Sequence, residues 1–125
     1  MARVLVCDDN TLMLRTIEYR LRTEGFEVVT VMDGHQAEDY LRHRGQQTDL
    51  VITDLLMPYM NGLELINLIR NHYHLKIPII VLTKVNNEAI INQALEMGAN
   101  EYLTKPFDPD DLSLRAKKLI TNRGT

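Results

Sequence analysis

Five side chains, far apart in the sequence, carry chemistry at the ends of apolar runs. Val4-Leu5-Val6-Cys7 ends on Asp8-Asp9, and Leu50-Val51-Ile52-Thr53 ends on Asp54. A third run, 79–82, leads into Thr83, and a short one, 101–103, is followed by Thr104-Lys105-Pro106. An isolated aspartate after a strand usually ends it or caps a turn. Three carboxylates, a hydroxyl and an ammonium at such positions ask for more. Two carboxylates about 4 Å apart repel by roughly 4 kcal/mol at an effective dielectric near 20. Three stay ionised together only if cations sit among them, and Lys105 supplies one charge. Oxygen ligands of this kind suit Mg2+ or Mn2+, which keep waters and pair with phosphate oxygens. A carboxylate beside such an ion, opposite Lys and Thr, can attack phosphorus. The competing reading is a structural ion-pair cluster.

The elements that would bring these groups together are legible as periodicity. The runs 4–7, 28–31, 50–53, 79–83 and 101–103 read as short strands without polar alternation, the signature of strands buried on both faces. Helical patterns near 11–23, 35–44, 63–73, 87–97 and 110–121 alternate with them. Five β-then-α units predict one α/β domain over 1–125, a parallel sheet flanked by helices. All strand ends then lie along one edge, where such sheets bind ligands.

In the first helix Met13, Leu14, Ile17 and Leu21 share a face, and in the last Leu112, Ala116, Leu119 and Ile120 do so. Leu12 and Leu114 fall on the opposite faces and are expected at the surface. Gly25 and Gly98 stand where helices end in left-handed backbone, and residues 123–125 are expected to fray.

Composition narrows the function classes. At 125 residues and 45% hydrophobic content the chain can build one real core. A net charge of −3 argues against a nucleic-acid-binding surface. The single cysteine, Cys7, excludes an internal disulfide and is expected in the core. No run approaches the ~20 apolar residues of a membrane span, and no targeting segment is visible, so a cytoplasmic location is expected. His72 and His74 lack an acidic neighbour and read as a solvated helix end. Arg42-His43-Arg44 closes the second helix, where positive charge complements the dipole.

With these residues in view, the chain resembles the receiver domains of two-component response regulators, from end to end. Asp8-Asp9-Asn10 resembles the family's acidic pair. The stretch from Asp54 through Met57-Pro58, Met60 and Gly62 matches its D-x-x-M-P-x-M-x-G phosphoacceptor loop. Thr83, Gly98-Ala99, Tyr102 and Lys105-Pro106-Phe107 fall at further motif positions. The resemblance implies a flavodoxin-like (βα)5 three-layer sandwich with strand order 2-1-3-4-5. It implies a phosphoryl group accepted by Asp54 from the phosphohistidine of a histidine kinase or phosphotransfer protein. Asp9 would hold Mg2+ directly, Asp8 through water, and the Leu56 backbone carbonyl would complete the ligands with Asp54. Lys105 would hold phosphoryl oxygens, and its bond to Pro106 is expected cis. Thr83 and Tyr102 would shift together as a switch, remodelling the face of the fourth helix, fifth strand and fifth helix for an effector or a second copy. Such a domain acts by binding and catalyses only its own phosphorylation and dephosphorylation.

Two positions depart from the pattern. Lys84 follows the switch threonine where a small residue is usual. It would narrow access to Asp54 or add a second cation, unless its stem simply reaches into solvent. Leu56 stands where many relatives carry a polar side chain that orients an attacking water. Both departures predict slow phosphoryl turnover. Other readings are a degenerate receiver that binds partners without phosphorylation, a flavin binder, and an aspartyl phosphatase. Asp8-Asp9 would repel a flavin phosphate. The phosphatase would want its two acids on the first strand two residues apart, and here they are adjacent.

Overall fold

The computed structural model describes residues 1–123. Five strands, β1 (Arg3–Cys7), β2 (Glu27–Val31), β3 (Leu50–Thr53), β4 (Ile79–Thr83) and β5 (Glu101–Thr104), form one parallel sheet in the order β2-β1-β3-β4-β5. Helices α1 (Thr11–Thr23), α2 (Gly34–Arg44), α3 (Gly62–Asn67), α4 (Glu88–Met97) and α5 (Pro109–Arg123) alternate with the strands. This is the flavodoxin-like three-layer arrangement expected of the sequence.

Strand alternation sorts the core into two halves. Val4, Val6, Leu50, Ile52, Ile80 and Leu82 pack with Leu14, Ile17 and Leu21 of α1 and Leu112 and Ala116 of α5. Leu5, Cys7, Val51, Ile79 and Val81 point the other way, against Ala37 and Leu41 of α2, Leu65 and Ile66 of α3 and Ala94 of α4. Every residue of β3 and β4 is buried, which is why neither strand shows a polar alternation.

The helix starts are set by side-chain caps. Asn10, Asp33, Asn61 and Asn87 each accept a hydrogen bond from the amide three residues on. At α3 the Glu64 side chain also accepts from the Asn61 amide, closing a capping box. Gly25 and Gly98 have φ of +93° and +123° and follow α1 and α4 as expected. Leu12 and Leu114 are exposed, and Arg42, His43 and Arg44 form the last turn of α2.

Two expectations are corrected. The helix expected over 63–73 is α-helical only to Asn67. Residues Leu68–His72 then widen into a π turn, closed by the Tyr73 amide donating to the Leu68 carbonyl. The stretch is weak in helix formers (Asn67, Asn71, His72), and Arg70 within it has partners outside the helix. Its guanidinium donates to the carbonyls of Leu75 and Gly98 and to Asn100 Oδ1. Arg123 does not fray: it belongs to α5 and donates to the Thr48 carbonyl at 2.8 Å. Gly124 and Thr125 lie outside the described residues.

Candidate functional site

Register places the functional side chains. Cys7 pairs with Thr53, so Asp8 and Asp54, the next residues, emerge side by side at the sheet edge. Thr83 pairs with Thr104, and the Lys105 amide donates to the Thr83 carbonyl, so the lysine leaves the end of β5 and reaches the carboxylates from beyond β4. Its peptide bond to Pro106 is cis, as the resemblance implies.

Lys105 Nζ donates to Asp8 Oδ2 at 2.7 Å and to Asp54 Oδ2 at 2.8 Å. All three side chains are under a tenth exposed. The Leu56 amide donates to Asp54 Oδ1 at 3.1 Å, and the Asn10 amide to Asp8 Oδ1 at 2.9 Å. Burial pushes the Asp54 carboxyl up. Hydrogen bonds from Lys105, the Thr83 hydroxyl and the Leu56 amide outweigh that and hold it below the ordinary carboxylate range. Burial alone would lower Lys105, but its bonds to Asp54 and Asp8 raise it. The pair is therefore fully ionised at neutral pH, and Asp54 is an acceptor-only carboxylate with no proton to lose.

These groups line one cleft of about 250 Å3 with Asp9, Asn10, Leu56 and Lys84. Asp9 is exposed and makes no hydrogen bond or ion pair among the described residues. Thr83 is fully buried behind Asp54, and its Oγ1 accepts from the Val85 amide at 3.4 Å. Leu56, which also lines the cleft, is 61% exposed.

Tyr102 is half-buried against the core, and its hydroxyl donates to the Val85 carbonyl at 2.7 Å. Burial and the Asp54 charge both raise its pKa. Cys7 lies one residue before the site, but burial pushes its thiol up to about 12, so it is a core side chain and not a nucleophile.

Among the described residues no three His, Cys, Asp or Glu side chains gather closely enough to hold a metal by themselves. His72 and His74 are exposed and form no such group. Asp8, Asp9 and Asp54 share the cleft, but Lys105 stands between two of them. The donor chemistry still fits a hard divalent ion: carboxylates on two strand ends, a backbone carbonyl, and space for water.

Two residues that the sequence showed only as motif positions also shape the site. Asn10, through its amide on Asp8 and its side chain on the Met13 amide, fixes the acidic pair to the start of α1. An Asn directly before a helical pattern was the available signal. Gly62 is the other. A Cβ there would lie 2.4 Å from the Asp54 carbonyl oxygen and 2.8 Å from Leu55 Cα, so α3 packs directly on the backbone that carries Asp54.

Fold and cleft together define the class: a doubly wound α/β domain with a lysine-bridged acidic cleft at the carboxyl edge of its sheet. The chain belongs to the response regulator receiver domains, whose family model matches residues 4–117. It is 31% identical over 118 residues to the alkaline phosphatase synthesis transcriptional regulatory protein PhoP of Bacillus subtilis. That match covers 94% of this chain and 48% of that protein. It is also 31% identical over 120 residues to the transcriptional regulatory protein CrdR of Helicobacter pylori, covering 96% of this chain and 55% of that one. The chain thus spans about half the length of these curated relatives. Among solved structures, the receiver domain of Francisella response regulator 1452 superposes with a TM-score of 0.92 at 27% identity. That match covers 98% of this chain and 99% of that one. Receiver domains serve two-component signalling and generally bind Mg2+ at an acidic pocket. No helix among the described residues is long and apolar enough to cross a membrane.

Proposed function

We propose that this chain is a phosphorylation-controlled switch in which Asp54 accepts a phosphoryl group from the phosphohistidine of a histidine kinase or phosphotransfer protein. The observation that carries this reading is the ionised Asp54 carboxylate, held by Lys105 at 2.8 Å and by the Leu56 amide, at the mouth of an acidic cleft.

An Asp54 oxygen attacks phosphorus, the P–N bond to the donor imidazole breaks, and the imidazole nitrogen keeps the electron pair and takes a proton. The product is an acyl phosphate. Lys105 Nζ already points at the Asp54 oxygens and would follow the charge onto the phosphoryl group. Mg2+ or Mn2+, held by Asp9, Asp8 through water, Asp54 and the Leu56 carbonyl, would supply positive charge to the transferring oxygens. Hydrolysis returns the carboxylate when water attacks phosphorus. Thr83, buried behind Asp54, would turn its hydroxyl toward the phosphoryl group. Its bond from the Val85 amide and the Tyr102 bond to the Val85 carbonyl would make the β4–α4 connection respond. The phosphoryl group then favours one conformation of the α4–β5–α5 face, on which an effector or a second copy docks.

Intact-mass spectrometry after incubation with Mg2+ and a small phosphodonor tests this reading. One added phosphoryl group is expected, absent without Mg2+ and absent in Asp54→Ala. No adduct on a folded wild-type protein would favour the phosphorylation-independent binding module, the reading that Lys84 in the cleft keeps open.

A further inference from the structure

We propose that Lys84 is a second cation of the phosphoryl cleft, one that opposes Mg2+ in the resting protein and contacts the phosphoryl oxygens once Asp54 is modified. Its phosphoryl-contact half rests on Asp54 as the acceptor.

The cleft is lined by Asp8, Asp9, Asp54, Lys84 and Lys105, three negative charges against two positive. Lys105 is fully engaged, donating to Asp8 and Asp54 and almost wholly buried. Lys84 is its opposite. It directly follows the buried Thr83, lines the same cleft, is exposed, and has no hydrogen bond or ion pair among the described residues. The anionic group left without a partner in the same cleft, among the described residues, is Asp9. A lysine head carries three donors on a flexible four-carbon stem, and an exposed one is drawn toward such a field. The remaining cation and the remaining carboxylate thus face one space.

Two effects follow from this single placement. A positive charge beside the carboxylates opposes entry of a divalent ion, so Lys84 weakens Mg2+ binding. A phosphoryl group adds charge and acceptor oxygens at Asp54, and Lys105 cannot by itself balance both it and Asp8. Lys84 is the side chain placed to share that charge and to crowd the line along which water must approach phosphorus.

The test is a calorimetric titration of unphosphorylated protein with Mg2+, comparing wild type, Lys84→Met and Lys84→Arg. Met keeps the apolar stem and removes the charge. Arg keeps the charge. Mg2+ is expected to bind Lys84→Met roughly three- to tenfold more tightly than wild type at low salt. The difference should shrink at about 0.3 M salt as screening grows, and Lys84→Arg should match wild type. Equal affinity in wild type and Lys84→Met, or an Arg variant that behaves like Met, overturns the proposal. The lifetime of the Asp54 adduct gives the second readout: several-fold faster decay in Lys84→Met is expected, and an unchanged lifetime removes the phosphoryl contact. The titration needs no phosphorylation, so a failure of Asp54 to accept a phosphoryl group would leave the charge competition to be judged on its own result.

Discussion

At the scale of single residues, Lys105 governs the resting site. One ammonium serves two buried carboxylates, and removing it would leave both unpaired. Lys105→Met is expected to cost about 3 kcal/mol of stability in metal-free buffer, the range for breaking a buried ion pair from one side. Mg2+ should restore more of that loss than it adds to wild type. Urea unfolding with and without the ion measures both. The pH dependence follows from the two shifts. Asp54 lies below its ordinary 3.8 in the fold, so its contribution is present at neutral pH and lost as pH falls through that lowered value. Lys105 lies above its ordinary 10.5, so its contribution is complete below that pH and lost as pH rises through the raised value. Stability from the pair should therefore be flat between about pH 5 and pH 10 and decline on either side. A maximum inside that window that disappears in Lys105→Met would contradict the assignment. The sequence made the identity of these residues readable, since each ends an apolar run. It did not show that Lys105 would bridge Asp8 and Asp54 in the resting protein, because a distance between strand ends is a property of register.

At the scale of elements, α3 is the part that holds the Asp54 backbone in place. Its first residue, Gly62, donates to the Leu55 carbonyl and leaves no room for a side chain over Asp54. Gly62→Ala is expected to lose at least about 2 kcal/mol, as overpacking against backbone does, and to slow adduct formation at Asp54. Asn61→Ala removes the capping box and should cost about 1 kcal/mol without slowing the chemistry. Chemical denaturation and adduct kinetics on the two variants separate support of the loop from support of the helix. Strands and helices were readable here because each rests on local chemistry: buried apolar runs, apolar faces at helical spacing, glycines at helix ends. The π turn at Leu68–His72 was not. It accompanies Arg70, whose acceptors Gly98 and Asn100 lie 28 and 30 residues away, and no local pattern announces a partner at that distance. The Tyr102 hydrogen bond was likewise invisible, since its acceptor is a carbonyl in the β4–α4 connection.

At the scale of the whole molecule, the far side of the site is the face built from α4, β5 and α5. It leaves Leu95 and Leu114 at 41% and 52% exposed, with Arg115 bound to Glu101 and Asp111 beside them. Phosphorylated protein is expected to shift toward dimer in light scattering at tens of micromolar, on the order of a weak standard interface, and Leu114→Arg should hold it monomeric. A monomer in every state would assign that face to an effector instead.

The Tyr102 bond to the Val85 carbonyl has a spectroscopic consequence. The chain contains five tyrosines and no tryptophan, so its near-ultraviolet emission comes from phenols alone, with no indole to drain or mask it. A phenol that donates to a peptide carbonyl near a carboxylate emits differently from one released to water. The protein thus carries its own optical reporter, seated between Asp54 and the surface it is proposed to control, and Tyr102→Phe is the blank against which that signal can be read.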